Sequence, residues 1–120
     1  MPNVLIVDDA LVMRKIIGSI AVEAGWTVSA EAENGQKALD AYKAQKPDLV
    51  TMDLVMPVMG GLEALRLIRD FDPQARIVVI SAVDQKHALE EAIEAGAADF
   101  IVKPFDRAYV RKTFEKLASG

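Results

Sequence analysis

Short apolar runs alternate along this chain with stretches in which apolar residues recur every three or four positions, five times over. Val4-Leu5-Ile6-Val7 is unbroken, as in a strand buried on both faces. Beyond Asp8-Asp9, the residues Val12, Met13, Ile16, Ile17, Ile20, Ala21 and Ala24 keep helical spacing. Arg14, Lys15, Ser19 and Glu23 take the other side, so an amphipathic helix is expected, stopped by Gly25. Trp26–Glu31 predicts a weaker strand at a sheet edge. Asn34-Gly35 then turns the chain into a second helix, with Ala38, Leu39 and Tyr42 inward, ending before Lys46-Pro47.

Asp48–Met52 predicts a third strand and Leu62–Phe71 a third helix, broken by Asp72-Pro73. Ile77–Ile80 is a fourth strand. A helix from about Lys86 follows, with Leu89, Ala92 and Ile93 inward, Glu90, Glu91 and Glu94 outward, and Gly96 as its cap. Phe100–Val102 makes a fifth strand. Asp106 is placed to N-cap a last helix whose Val110, Phe114 and Leu117 form one stripe. There is no repeat beyond the strand–helix unit, no low-complexity stretch and no linker.

Strands and helices in alternation specify a parallel sheet with helices on both faces, an α/β fold. Ligands of such sheets bind beyond the carboxyl ends of the strands, at the topological switch point. The candidate chemistry is at those ends. Asp8 and Asp9 follow the first run, Asp53 closes the third, Ser81 follows the fourth and Lys103 the fifth.

Composition narrows the classes. At 120 residues, with 52% hydrophobic and 27% charged, one domain with a real core is expected. The absence of cysteine excludes disulfides, zinc ribbons and thiol nucleophiles. The first apolar run is too short for a secretory signal, and none approaches the ~18 residues of a membrane span. A cytoplasmic protein without a membrane partner is therefore expected. A net charge of −4 argues against direct nucleic-acid binding.

If the first and third strands are neighbours, Asp8, Asp9 and Asp53 converge. Crowded carboxylates repel and need a cation to stay ionised together. An all-oxygen set with water completing the shell suits Mg²⁺. Lys103 supplies a fixed positive charge opposite, and Ser81 a hydroxyl. Such a set serves phosphoryl transfer to a carboxylate, with one Asp as nucleophile while metal and Lys neutralise the phosphoryl oxygens. The strand presents Asp53 alone, facing Lys103 and Ser81, so Asp53 is the expected acceptor and Asp8 and Asp9 mainly hold the metal.

Each residue singly has an ordinary use: Asp8-Asp9 suits a helix N-cap, and Lys103-Pro104 suits a strand end. Only their joint placement at four strand ends resists that explanation. His87 is expected to be solvated, with no second His or Cys to make a zinc site. Arg107, Arg111, Lys112 and Lys116 are read as a solvated face, and Met52, Met56 and Met59 as packing.

The chain resembles the receiver domains of two-component response regulators, in particular stand-alone receivers of the chemotaxis type. The resemblance spans essentially all of residues 1–120. It rests on Asp8-Asp9 after the first strand, Asp53 before Met56-Pro57-x-Met59-x-Gly61, Ser81 after the fourth strand, and Lys103-Pro104-Phe105 after the fifth. It implies a flavodoxin-like, doubly wound five-stranded sheet of order 2-1-3-4-5 with five helices. It further implies a phosphorelay. Asp53 takes a phosphoryl group from the phosphohistidine of a sensor histidine kinase or phosphotransfer protein. Mg²⁺ is held by Asp8 (through water in many members), Asp9, Asp53 and the backbone carbonyl of Val55, while Lys103 and Ser81 contact the phosphoryl group. Ser81 moves inward, Phe100 turns into the vacated space, and the face of the fourth helix, fifth strand and fifth helix changes toward an output partner.

On that likeness the protein modifies itself rather than turning over an external substrate, as a monomer or weak dimer, and the Lys103–Pro104 bond is cis. Four positions depart from the common pattern. Phe100 replaces a common Tyr, and Gly60 replaces a common polar residue. Val55 and Val83 flank the site where many members are polar, and are expected to order water poorly and lengthen the phosphorylated lifetime.

Rival readings remain open on residues alone. A dehalogenase-type phosphatase would carry a second Asp two positions after the nucleophile, where this chain has Val55. A flavin binder would want a Ser/Thr/Gly-rich phosphate loop where Asp8-Asp9 stand. The chain could also be the receiver part of a larger regulator, although its Met1 start and its end soon after the last helix suit a free-standing protein.

Overall fold

A computed structural model describes residues 2–118. The elements alternate throughout: β1 (Asn3–Val7), α1 (Leu11–Glu23), β2 (Thr27–Ala32), α2 (Gly35–Gln45), β3 (Leu49–Asp53), α3 (Gly61–Phe71), β4 (Ile77–Ala82), α4 (Lys86–Glu94), β5 (Asp99–Lys103) and α5 (Arg107–Ala118). All strand pairs are parallel, in the order β2-β1-β3-β4-β5, as the resemblance implies. Chain order reverses between β1 and β3, so their carboxyl ends flank a crevice.

Successive strand residues face opposite sides of the sheet, and each side has its own core. Leu5, Val7, Val50, Met52, Ile77 and Val79 pack with Ala38, Leu39 and Tyr42 of α2, Ala64, Leu65 and Ile68 of α3, and Ala92 of α4. Val4, Ile6, Leu49, Val78, Ile80 and Ile101 pack with Ile17, Ile20 and Ala21 of α1 and with Val110 and Phe114 of α5. Burial on both sides explains why the strand sequences read as continuous apolar runs. Met52 is in the core, with Met56 and Met59 packed against it, as read from the sequence.

Local chemistry sets the helix ends. The Asn34 side chain accepts the Lys37 N–H at 2.9 Å to cap α2, and Asp106 accepts the Ala108 N–H at 2.9 Å to start α5. Gly25 and Gly96, with φ of +91° and +105°, follow α1 and α4 in a backbone conformation other residues avoid.

Three sequence-based expectations need correction. Val12 and Ile16 were placed on the buried face of α1, but they are 71% and 38% exposed. They lie one residue, about 100° around a helix, before Met13 and Ile17, and the sheet covers only the latter side. Ile93 is likewise exposed, one residue past buried Ala92. Trp26 precedes β2 rather than belonging to it. Its indole N–H donates to the Phe114 carbonyl at 2.9 Å, so it pins the loop to α5.

Candidate functional site

Three chain segments meet at the carboxyl ends of β1, β3 and β5. The N–H of Asp8 donates to the Ala32 carbonyl at 3.1 Å, which extends the β1–β2 pairing by one step and carries Asp8 past the sheet edge. Both of its carboxylate oxygens are engaged. Oδ1 accepts the Ala10 N–H at 2.9 Å, and Oδ2 accepts the Lys103 ammonium at 3.3 Å. Asp9, next along, is exposed.

Asp53 is the last residue of β3 and is buried. Its Oδ1 accepts the Val55 N–H at 3.3 Å, and its Oδ2 lies 3.8 Å from the Lys103 ammonium. The start of α3 presses directly against it. A Cβ on Gly61 would fall 2.1 Å from the Asp53 carbonyl oxygen, so only glycine permits this approach.

Asp8, Asp9 and Asp53 each offer one carboxylate oxygen within 4.8 Å of the others. Burial pushes the Asp53 carboxyl above the ordinary carboxylate range; Lys103 pulls it back down, and Asp8 and Asp9 add to the rise. The set therefore repels itself with one ammonium opposite. That is a site a divalent cation can relieve, and its donors are all hard oxygens.

β4 runs two residues further than the apolar run suggested, so Ser81 lies inside the strand. Its Oγ is buried and has no hydrogen-bond partner among the described residues. Val55 and Val83 stand on the flanking loops, 58% and 70% exposed. Phe100 is at the surface, lining a groove with Val102, Pro104, Phe105, Asp106 and Tyr109. The Lys103–Pro104 peptide is cis.

Two contributors escape the sequence pattern. Arg14, assigned to the solvent side of α1, donates to the Asp8 carbonyl at 2.7 Å. Gln85 accepts the Ala82 N–H at 2.7 Å through its side chain and so closes the loop after β4. Arg14 follows Asp8 by six residues, well beyond one helical turn, so the spacing does not mark the contact. Nothing in the sequence marks Gln85. The basic residues of α5 are not simply solvated: Arg107 pairs with Glu23 at 3.1 Å and Lys116 with Asp99 at 2.8 Å. His87 is exposed beside Glu91.

The family described as "response regulator receiver domain" matches residues 4–115. The chain is 49% identical to the chemotaxis protein CheY of Thermotoga maritima over 116 residues, 97% of each chain. It is 51% identical to the chemotaxis protein CheY of Bacillus subtilis over 114 residues, 95% of each. Among solved structures it superposes on a chain of the CheX-CheY-BeF3-Mg²⁺ complex from Borrelia burgdorferi with a TM-score of 0.90 at 36% identity. That alignment covers 97% of this chain and 88% of the other. Among the described residues no helix is long and apolar enough to cross a membrane.

Proposed function

The chain belongs to the response regulator receiver domain family, and from that membership we propose that it works in a phosphorelay with Asp53 as the phosphoryl acceptor. The donor is a phosphohistidine of a sensor kinase or phosphotransfer protein. An Asp53 carboxylate oxygen bonds to phosphorus as the phosphorus–nitrogen bond breaks, and the bonding electrons leave with the imidazole. Water later attacks the acyl phosphate, returning the carboxylate and inorganic phosphate.

The observation that supports this most is the grouping of three carboxylates at the ends of β1 and β3, two of them facing the ammonium from β5. Direct ligands of one Mg²⁺ lie at most about 4.2 Å apart, so a set within 4.8 Å fits one ion when a member reaches it through water. Asp8, whose oxygens are both already engaged, is that member. Asp9, Asp53 and the Val55 carbonyl would be direct ligands. Bound Mg²⁺ would supply neutralising charge on the phosphoryl oxygens. Lys103, already between Asp8 and Asp53, would turn its ammonium to the new phosphoryl group, and the unpartnered Ser81 hydroxyl would donate to it. Ser81 moving inward leaves room for Phe100 and so couples the pocket to the face of α4, β5 and α5, where an output partner would bind. The Borrelia relative was captured in complex with CheX, BeF3 and Mg²⁺, in keeping with this cycle.

Incubation with acetyl phosphate, read by intact mass, tests the proposal. The wild type is expected to gain one phosphoryl group only when Mg²⁺ is present, and Asp53→Asn to gain none. Equal uptake by Asp53→Asn, or none by the wild type with Mg²⁺, refutes it. The exposed Val55 and Val83 side chains have no donor or acceptor with which to orient water, so Val55→Asn should shed phosphate faster than wild type. A rate unchanged or slower removes that part.

A further inference from the structure

We propose that Arg14 is a positioning residue for the acidic pocket: it fixes the turn between β1 and α1 so that Asp8 and Asp9 face the same cation as Asp53. This rests on the Mg²⁺ reading given above.

Arg14 lies in the first turn of α1, where its own N–H donates to the Ala10 carbonyl at 3.1 Å. Its side chain is only 13% exposed, although the sequence put it toward solvent. The guanidinium spans two elements. Its Nη1 donates to the Asp8 carbonyl at 2.7 Å, while its Nε donates to Glu31 Oε1 on β2 at 2.9 Å. Glu31 is braced in turn by Lys15, whose ammonium reaches Oε2 at 2.7 Å.

The contact matters because of what the Asp8 carbonyl belongs to. That oxygen and the Asp9 nitrogen share one planar peptide, so fixing the oxygen fixes where the Asp9 backbone, and hence its carboxylate, begins. Asp8 is then held from two sides, by Ala32 of β2 at its N–H and by Arg14 at its carbonyl. Arg14 shares Glu31 with Lys15, so the three charges sum to one positive and the guanidinium stays a net cation near a cation site. A lysine could not replace the arginine, since one ammonium cannot present two donors in a rigid fork.

Charge and positioning give opposite signs, which makes the idea testable. On charge alone, removing Arg14 should tighten Mg²⁺ binding. If Arg14 positions the turn, its loss should weaken binding on the order of ten-fold, as for other groups that orient metal ligands. The experiment is calorimetric titration of Mg²⁺ into the whole chain for wild type, Arg14→Ala, Arg14→Lys and Asp9→Ala, with a metal-free melt of each. A merely structural role lowers the metal-free melting temperature and leaves the affinity of folded protein unchanged. The expected result is weaker binding by Arg14→Ala, with Arg14→Lys in between. Binding by Arg14→Ala as tight as or tighter than wild type overturns the proposal, as does full rescue by Arg14→Lys. A wild type that takes up no Mg²⁺, or Asp9→Ala binding it equally, defeats the pocket reading itself and this inference with it.

Discussion

Asp53 is pulled in two directions, by apolar burial behind it and by Lys103 ahead. Its carboxyl sits above the ordinary value of 3.8, chiefly from burial. Below that value the group is protonated in both folded and unfolded chains and contributes nothing. As pH rises through the window above it, the unfolded chain ionises more readily, and the folded state loses stability relative to it. Asp53→Asn should therefore melt higher than wild type in metal-free buffer at neutral pH. The gap should close toward pH 4. An equal gap at both pH values would remove the titration as its cause. Thr51 offers a second test: its buried hydroxyl has no partner among the described residues and lies beside a narrow void lined by Leu49, Val78, Ile101, Thr113 and Phe114. Thr51→Val should stabilise by about 1 kcal/mol in denaturant unfolding, because it removes an unmet polar group at constant shape; a loss of stability would show that the hydroxyl has a use. Asp53 was readable because a carboxylate closing an apolar run is conspicuous. Thr51 was not, since a threonine inside a strand is ordinary until its surroundings are known.

Elements decide how tightly the site is held. α3 begins so close to the end of β3 that Gly61 has no room for a side chain. Gly61→Ala must push the Asp53 carbonyl aside, and should cost about 1–3 kcal/mol of stability while weakening Mg²⁺ binding in the protein that still folds. Unchanged melting and unchanged affinity together would contradict that packing. The alternation of elements was legible because both faces of the sheet are covered, which makes strands apolar throughout. Helix faces were less so. α1 carries more aliphatic positions than one face can bury, and only the position of the sheet decides that Ile17 goes in while Ile16 stays out. The extra length of β4 was hidden as well, because Ser81 and Ala82 lack the β-branched pattern yet pair with Val102 and Lys103 of β5.

Across the whole molecule, residues far apart in sequence become neighbours only because the strand order places β1 beside β3. Spacing showed that four strand ends carry polar groups; the parallel order, implied by resemblance and found in the fold, makes them one site. The supporting contacts of Arg14 and Gln85 were invisible for the same reason, since each depends on how loops close after the strands meet. Thermal melting in EDTA and then in rising Mg²⁺, for wild type and Asp9→Ala, tests most directly whether the three carboxylates share one ion. The variant should melt above wild type without metal, because one repelling charge is gone. Wild type should then rise with Mg²⁺, by about 2.7 kcal/mol of added stability at a hundred times the dissociation constant, while Asp9→Ala stays flat. A Mg²⁺ response in Asp9→Ala as large as in wild type would contradict the shared site.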